Sequence, residues 1–161
     1  MEYLGADGLG GLLHAYEMSA LGVAARGTVW LYPLANLLHV LGAALLVGGI
    51  ASFDIAVLRR SRAVAAFAAI VLPIAAAGLA LQLVTGLVLF AAEATTLALN
   101  LAFQVKMAIL LVGLINLAAF HWRFNGAIGE GFVPQGARRF AVVSLAAWVV
   151  VLLAGRGIAY L

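Results

Sequence analysis

The sequence predicts an all-α integral membrane protein: an up-down bundle of four transmembrane helices with a short N-terminal amphipathic surface helix. Three observations carry that prediction. Hydrophobic residues fill 66% of the 161 positions and charged residues only 9%, against roughly 25% charge in an ordinary soluble domain. A water-soluble fold of this size would lack the polar side chains to cover its surface, so lipid is the solvent for most of the chain. The ionisable residues gather between long apolar stretches, and each stretch reaches the roughly 20 helical residues that a hydrocarbon core of about 30 Å requires.

Residues 29–58 form the first span, with Tyr32, His39 and Asp54 as its only ionisable side chains. Residues 63–92 form the second and hold no charge, which leaves length for tilt. Pro73 and Gly78 are expected to kink it, because neighbouring helices can re-satisfy freed backbone groups. The third span covers residues 100–121 with Lys106 as its one charge, and the fourth covers 140–161 with Arg156 as its one charge. Residues 122–139 contain Gly126, Gly129, Gly131 and Pro134 and read as the longest loop. The other connections are short, so consecutive helices pack antiparallel.

Ahead of the spans, Leu9, Leu12, Leu13, Tyr16 and Leu21 recur at helical spacing, with His14 and Glu17 on the other face and Asp7 as N-cap. Residues 8–24 therefore read as one amphipathic helix in the interface. The chain divides into an interfacial segment, 1–27, and a four-helix transmembrane domain, 28–161. Residues 1–26 do not read as a cleavable signal peptide, since no charged n-region precedes an unbroken apolar run. Trp30, Tyr32, Trp122 and Tyr160 fall at span ends and read as an aromatic belt.

Orientation follows from arginine. Arg59, Arg60, Arg62, Arg123, Arg138 and Arg139 fall in two loops on one side, while the opposite side holds Glu2, Asp7, Glu17 and Glu93 against Arg26. The arginine side is expected to be cytoplasmic, with both termini outside, in the periplasm of a bacterium. Arginines so placed set topology, so the net charge of +3 does not point to nucleic acid.

The absence of cysteine excludes disulfides, thiolate metal sites and a cysteine nucleophile. No Ser-His-Asp arrangement, phosphate loop, carboxylate pair or HExxH motif is present, so any catalysis would come from a cofactor. The side chains that can carry chemistry are those placed in lipid, where Arg, Lys or Asp costs about +2.5 to +3.5 kcal/mol at mid-helix. At about 1.5 Å per residue, His39 lies some 13 Å from the outer boundary and Lys106 and Arg156 roughly 8 to 9 Å. Gln82 reaches a comparable depth, with Thr85 nearby.

These residues are expected to converge in the outer leaflet as a basic, hydrogen-bonding pocket suited to haem propionates or a quinone head group. His39 can ligate haem iron, relay protons or bond a neighbouring helix. His39 and His121 cannot share one haem in a monomer: their axial offset is about 15 Å, whereas two axial nitrogens stand about 4 Å apart, given metal–imidazole bonds near 2 Å. His14 reaches His39 only if its helix folds over the bundle mouth, and Met107 reads as packing. Asp54, Asn116 and His121 form a second, structural set in the inner half, with Arg59, Arg60 or Arg138 as partners for Asp54. Gly42, Gly48, Gly49, Gly78, Gly86, Gly113 and Gly155 are positioned for close helix contact.

The order of Trp30-Leu31-Tyr32-Pro33, His39 to Gly42, the Asp54 region, Gly86-Leu87-Val88-Leu89-Phe90, Asn100 with Phe103 and Lys106, Asn116, and Gly155-Arg156-Gly157-Ile158-Ala159-Tyr160 resembles a bacterial family of small four-helix inner-membrane proteins catalogued as a domain of unknown function. The resemblance runs from about Ser19 onward and implies motif roles for His39, Asp54, Lys106 and Arg156, while His14 falls outside it. The general plan is similar to small copper-resistance and cytochrome b type membrane proteins at the level of fold. Three functions are in view: a redox subunit binding b-type haem or quinone at His39, Lys106, Arg156 and Gln82; a non-catalytic accessory or assembly subunit; and a small transporter of protons, ions or solutes. The implied partners are the lipid bilayer and other membrane subunits or copies of the chain.

Overall fold

The computed structural model describes residues 8–157, and among these every regular element is a helix. The order is α1 (Leu9–Glu17), α2 (Ala20–Gly27), α3 (Leu31–Leu58), α4 (Val64–Ala92), α5 (Ala94–Leu99), α6 (Leu101–Gly129) and α7 (Ala137–Gly157). Asp7 and Tyr160, expected as N-cap and belt residue, lie outside the described residues.

Helices α3, α4, α6 and α7 are long and apolar enough to cross a membrane. Each is hydrophobic around most of its circumference, and many large side chains, among them Leu37, Ile70, Leu83, Leu111, Ile115 and Leu153, point outward. A helix apolar on all faces is built for a non-aqueous surround.

Two elements depart from expectation. The N-terminal helix is broken in two at Met18–Ser19. Ser19 takes an extended conformation and its hydroxyl accepts from Gly22 N at 3.3 Å, so it starts a new helix. The third span runs on to Gly129, through the segment read as loop. Gly126 and Gly129 have open space around them, and a helix tolerates isolated glycines at about 1 kcal/mol each. Trp122, 94% exposed, therefore sits inside a helix and not at its end. Helix α4 continues unbroken through Pro73.

The long helices form two antiparallel hairpins, α3–α4 and α6–α7, joined mainly where α3 packs on α7. Helices α4 and α6 approach each other only weakly, and at one end Phe90 stacks on Phe103 with centroids 5.3 Å apart. Both hairpin turns close with the same paired bonds. Ser61 N donates to Ala56 O and Arg60 N to Val57 O; Phe132 N donates to Ala127 O and Gly131 N to Ile128 O. This motif needs a left-handed residue, and Arg60 (φ 51°) and Gly131 (φ 78°) supply it.

At the opposite end, α1 and α2 clamp the α4–α5 corner. Arg26 donates to Ala92 O at 2.9 Å and to Glu17 O at 2.9 Å, so its guanidinium satisfies a terminal carbonyl of α4. The Glu17 carboxylate accepts from Thr95 Oγ1 at 2.6 Å and Thr95 N at 2.9 Å at the start of α5. Those bonds, the hydroxyl first, hold the Glu17 carboxyl below its ordinary value of 4.5. Tyr16 donates to Leu87 O at 3.0 Å and packs on Phe90.

Candidate functional site

Five layers follow from this capped end toward the arginine end. An aromatic roof of Tyr16, Phe90 and Phe103 comes first. One turn below it lies a polar layer of His39, Gln82, Thr85 and Lys106. Then come an apolar layer of Leu46, Ile50, Ala75, Trp148 and Val151, a second polar layer of Asp54, Asn116 and Ser144, and an apolar base of Phe53, Val57, Val64, Phe120 and Phe124.

The first polar layer is tied by bonds whose directions can be assigned. The Thr85 hydroxyl donates its one hydrogen to Leu81 O at 2.6 Å. Its oxygen is then an acceptor for His39 Nδ1, 2.9 Å away. Nδ1 therefore carries the hydrogen, and a neutral ring keeps its lone pair on Nε2. Nε2 has no hydrogen-bond partner among the described residues. Gln82 donates to His39 O at 2.6 Å, bonding across the hairpin where α3 backbone lies against α4. A Cβ at Gly86 would stand 3.3 Å from His39 Cε1, so this glycine makes room for the imidazole.

Lys106 comes from the other hairpin. Its side chain lies along Gly155, with Nζ 3.7 Å from where a Cβ would be, and it is near enough to His39 to act on it electrostatically. The ammonium has no hydrogen-bond or ion-pair partner among the described residues. The layer thus presents a bare acceptor, His39 Nε2, and a bare donor, Lys106 Nζ, on two hairpins.

The structure brings together His39, Gln82, Thr85 and Lys106 as the depth count anticipates. Arg156 is exposed on α7, next to the Gly155 that faces Lys106, and is engaged in an interaction. His14 is exposed on α1, and Tyr16 is the residue of that helix that reaches α4. His121 is exposed, bonded to its own helix at Leu117 O, and packs against Phe120 of the base layer, well away from His39. Met107 is exposed. Among the described residues no three His, Asp or Glu side chains converge as a metal cluster.

The glycines divide. Gly42, Gly49 and Gly78 sit against backbone of the facing helix, whereas Gly48 has nothing within 4 Å. The space at Gly42 is filled by Gln82 and the Gly78 carbonyl.

Asp54 departs from its expected partners. It is 4% exposed and makes no ion pair with Arg59, Arg60 or Arg138. Its neighbours are Ser144 and Asn116, and its Oδ2 is buried with no partner. The Phe53–Val57–Phe120 cluster packs next to it in the same part of the bundle. Ser144 went unread in the sequence, although it is the only hydroxyl in the apolar part of the fourth span, and counting depth along α7 would have found it. Trp148, four residues on, is likewise buried with Nε1 unpartnered.

Comparison with known protein families, with curated proteins and with solved structures returned no match. The family resemblance therefore rests on motif order alone.

Proposed function

We propose that this chain is a multi-pass inner-membrane subunit of a bacterial redox system that holds a quinone head group between His39 and Lys106. The observation that carries this reading is the pairing of an unpartnered acceptor with an unpartnered cation in one layer of an apolar bundle. A quinone carbonyl accepts from the Lys106 ammonium, and a quinol hydroxyl donates to His39 Nε2, so both oxidation states find a partner. An ammonium left bare in lipid is costly, and a polarised carbonyl reduces that cost. The weakly closed α4–α6 seam offers a lipid-soluble molecule a lateral way in.

The topology follows the arginines: the ends of α3 and α6 face the cytoplasm, and α1, α2 and α5 lie at the outer surface. A b-type haem is the second reading, favoured by the tautomer, because a histidine whose Nδ1–H is held by a neighbour offers Nε2 to iron. The residues fit it less well, since among the described residues no group of three His, Asp or Glu side chains forms around His39. An accessory subunit or a small transporter is what remains if neither ligand binds.

The test is to purify wild type, Lys106→Ala and Thr85→Val from the membrane, extract quinones and record the visible spectrum. Quinone bound by wild type and lost in Lys106→Ala is the expected result. Thr85→Val, which frees the imidazole to change tautomer, should weaken retention roughly 10-fold or more and shift the His39 nitrogen resonances. A Soret band moves the assignment to haem; protein free of both overturns the redox reading.

A further inference from the structure

The second polar layer is not used by the outer pocket, and the Leu46–Ile50–Trp148–Val151 layer separates the two. Asp54 there is 4% exposed, and its Oδ2 has no partner. It lines a cavity of about 10 Å³ together with Asn116 and Ser144, at the lower limit of the roughly 10–15 Å³ that one water molecule needs. Asn116 uses one of its two amide N–H groups on Phe140 O at 3.1 Å, which leaves its amide oxygen and its second N–H without a hydrogen-bond partner among the described residues. Asp54, Asn116 and Ser144, each with an oxygen-bearing side chain, thus line a space of atomic size.

No counter-charge faces it. On the elements packed around Asp54, the lining side chains are Ile50 and Phe53 of α3, Leu72 of α4, Leu117 and Phe120 of α6 and Phe140 of α7, none of them titratable. Among the described residues, Arg59, Arg60, Arg138 and Arg139 form no ion pair with it. An acceptor-rich site of this kind, holding one carboxyl and lacking any protein cation, is completed by one small positive charge from outside.

We propose that Asp54, Asn116 and Ser144 form a buried site for one monovalent cation of atomic size: a proton carried by water, or a sodium ion. A hydronium's three hydrogens match the three oxygens, and a sodium ion uses the same three as ligands. Neither source depends on whether a quinone binds at His39.

The experiment uses the full chain in lipid nanodiscs, with thermal unfolding followed across a sodium series balanced by choline, and separately across pH. If sodium is the ion, wild type gains roughly 5 to 10 °C when sodium is a hundred times its Kd, and Asp54→Asn gains nothing. If the proton is the ion, sodium has no effect and the wild-type Tm depends on pH in a way that Asp54→Asn removes. Ser144→Ala keeps the carboxyl and shifts the midpoint of whichever series is active, so the test survives a poorly folding Asp54→Asn. A wild-type Tm indifferent to sodium, with the pH dependence of Asp54→Asn and Ser144→Ala superimposable on wild type, overturns the site.

Discussion

The two hairpins are built from the same kind of sequence and packed in different ways. In α3–α4, glycine mostly brings backbone to backbone, Gly86 beside the His39 ring excepted: a Cβ on Gly78 would stand 2.5 Å from Leu46 N and 2.8 Å from Gly42 O, and one on Gly49 would stand 3.0 Å from Val71 O. In α6–α7, glycine makes room for a long side chain. A Cβ on Gly113 would stand 3.6 Å from the Trp148 indole, and one on Gly155 would stand 3.7 Å from Lys106. The first arrangement fixes helix spacing and holds His39, Gln82 and Thr85 in bonds between the two helices. The second leaves Trp148 Nε1 and Lys106 Nζ without partners. A glycine in a membrane helix thus has two distinct uses, and only the atom facing it tells which.

The largest expected effect tests that distinction. Gly78→Val forces α3 and α4 apart, because backbone cannot yield as a flexible side chain does, and should cost at least about 3 kcal/mol. Gly113→Ala meets only ordinary contact and should be neutral or gain up to about 1 kcal/mol. Denaturant titration of both variants in mixed micelles compares them directly. Equal losses would erase the difference between the hairpins.

The turns offer a smaller test of the same comparison. Gly131 occupies its left-handed position without penalty, whereas Arg60 holds φ 51° against the crowding of its own Cβ. Arg60→Gly should stabilise the chain by about 1 kcal/mol, and Gly131→Arg should do the reverse. If Arg60→Gly is neutral or harmful in the same titration, Arg60 has a role beyond the turn.

The smallest effect concerns the clamp on the first hairpin. Glu17 has a folded-state pKa below 4.5, so its contribution is fully present above that value and is lost as pH falls through 4.5 toward the folded value. The Thr95 amide resonance should hold still from neutral pH down to about 5 and move only below 4.5. Glu17→Gln should flatten that movement. A Thr95 shift that tracks pH near 6 would point to a different group.

How much of this was legible in sequence depends on the range of the interaction. Spans two and one were readable nearly to the residue, because a hydrocarbon core sets a length and charge marks its limits. The third span was cut short at His121, since Gly126, Gly129 and the polar run around Arg123 carry the local signature of a loop. Packing of Phe124 and Ile128 into the base layer overrides it. The grouping of His39 with Lys106 was readable from depth, because helices that cross the same slab share an axial coordinate.

Azimuth was not readable. Counting residues places Arg156 level with Lys106, and yet the neighbouring Gly155 is the one that faces inward. The composition and spacing of this sequence determined four helices long and apolar enough to cross a membrane, their up-down order and the layer at which each polar side chain lies. Only the tertiary structure decided which face of each helix turns inward. That decision left Asp54 with Ser144 instead of an arginine, gave His39 its Thr85 partner and turned Tyr16 instead of His14 toward the bundle. Rotation about a helix axis that is apolar all round has almost no local preference, and it is fixed by how glycine backbones and large side chains from distant segments fit together.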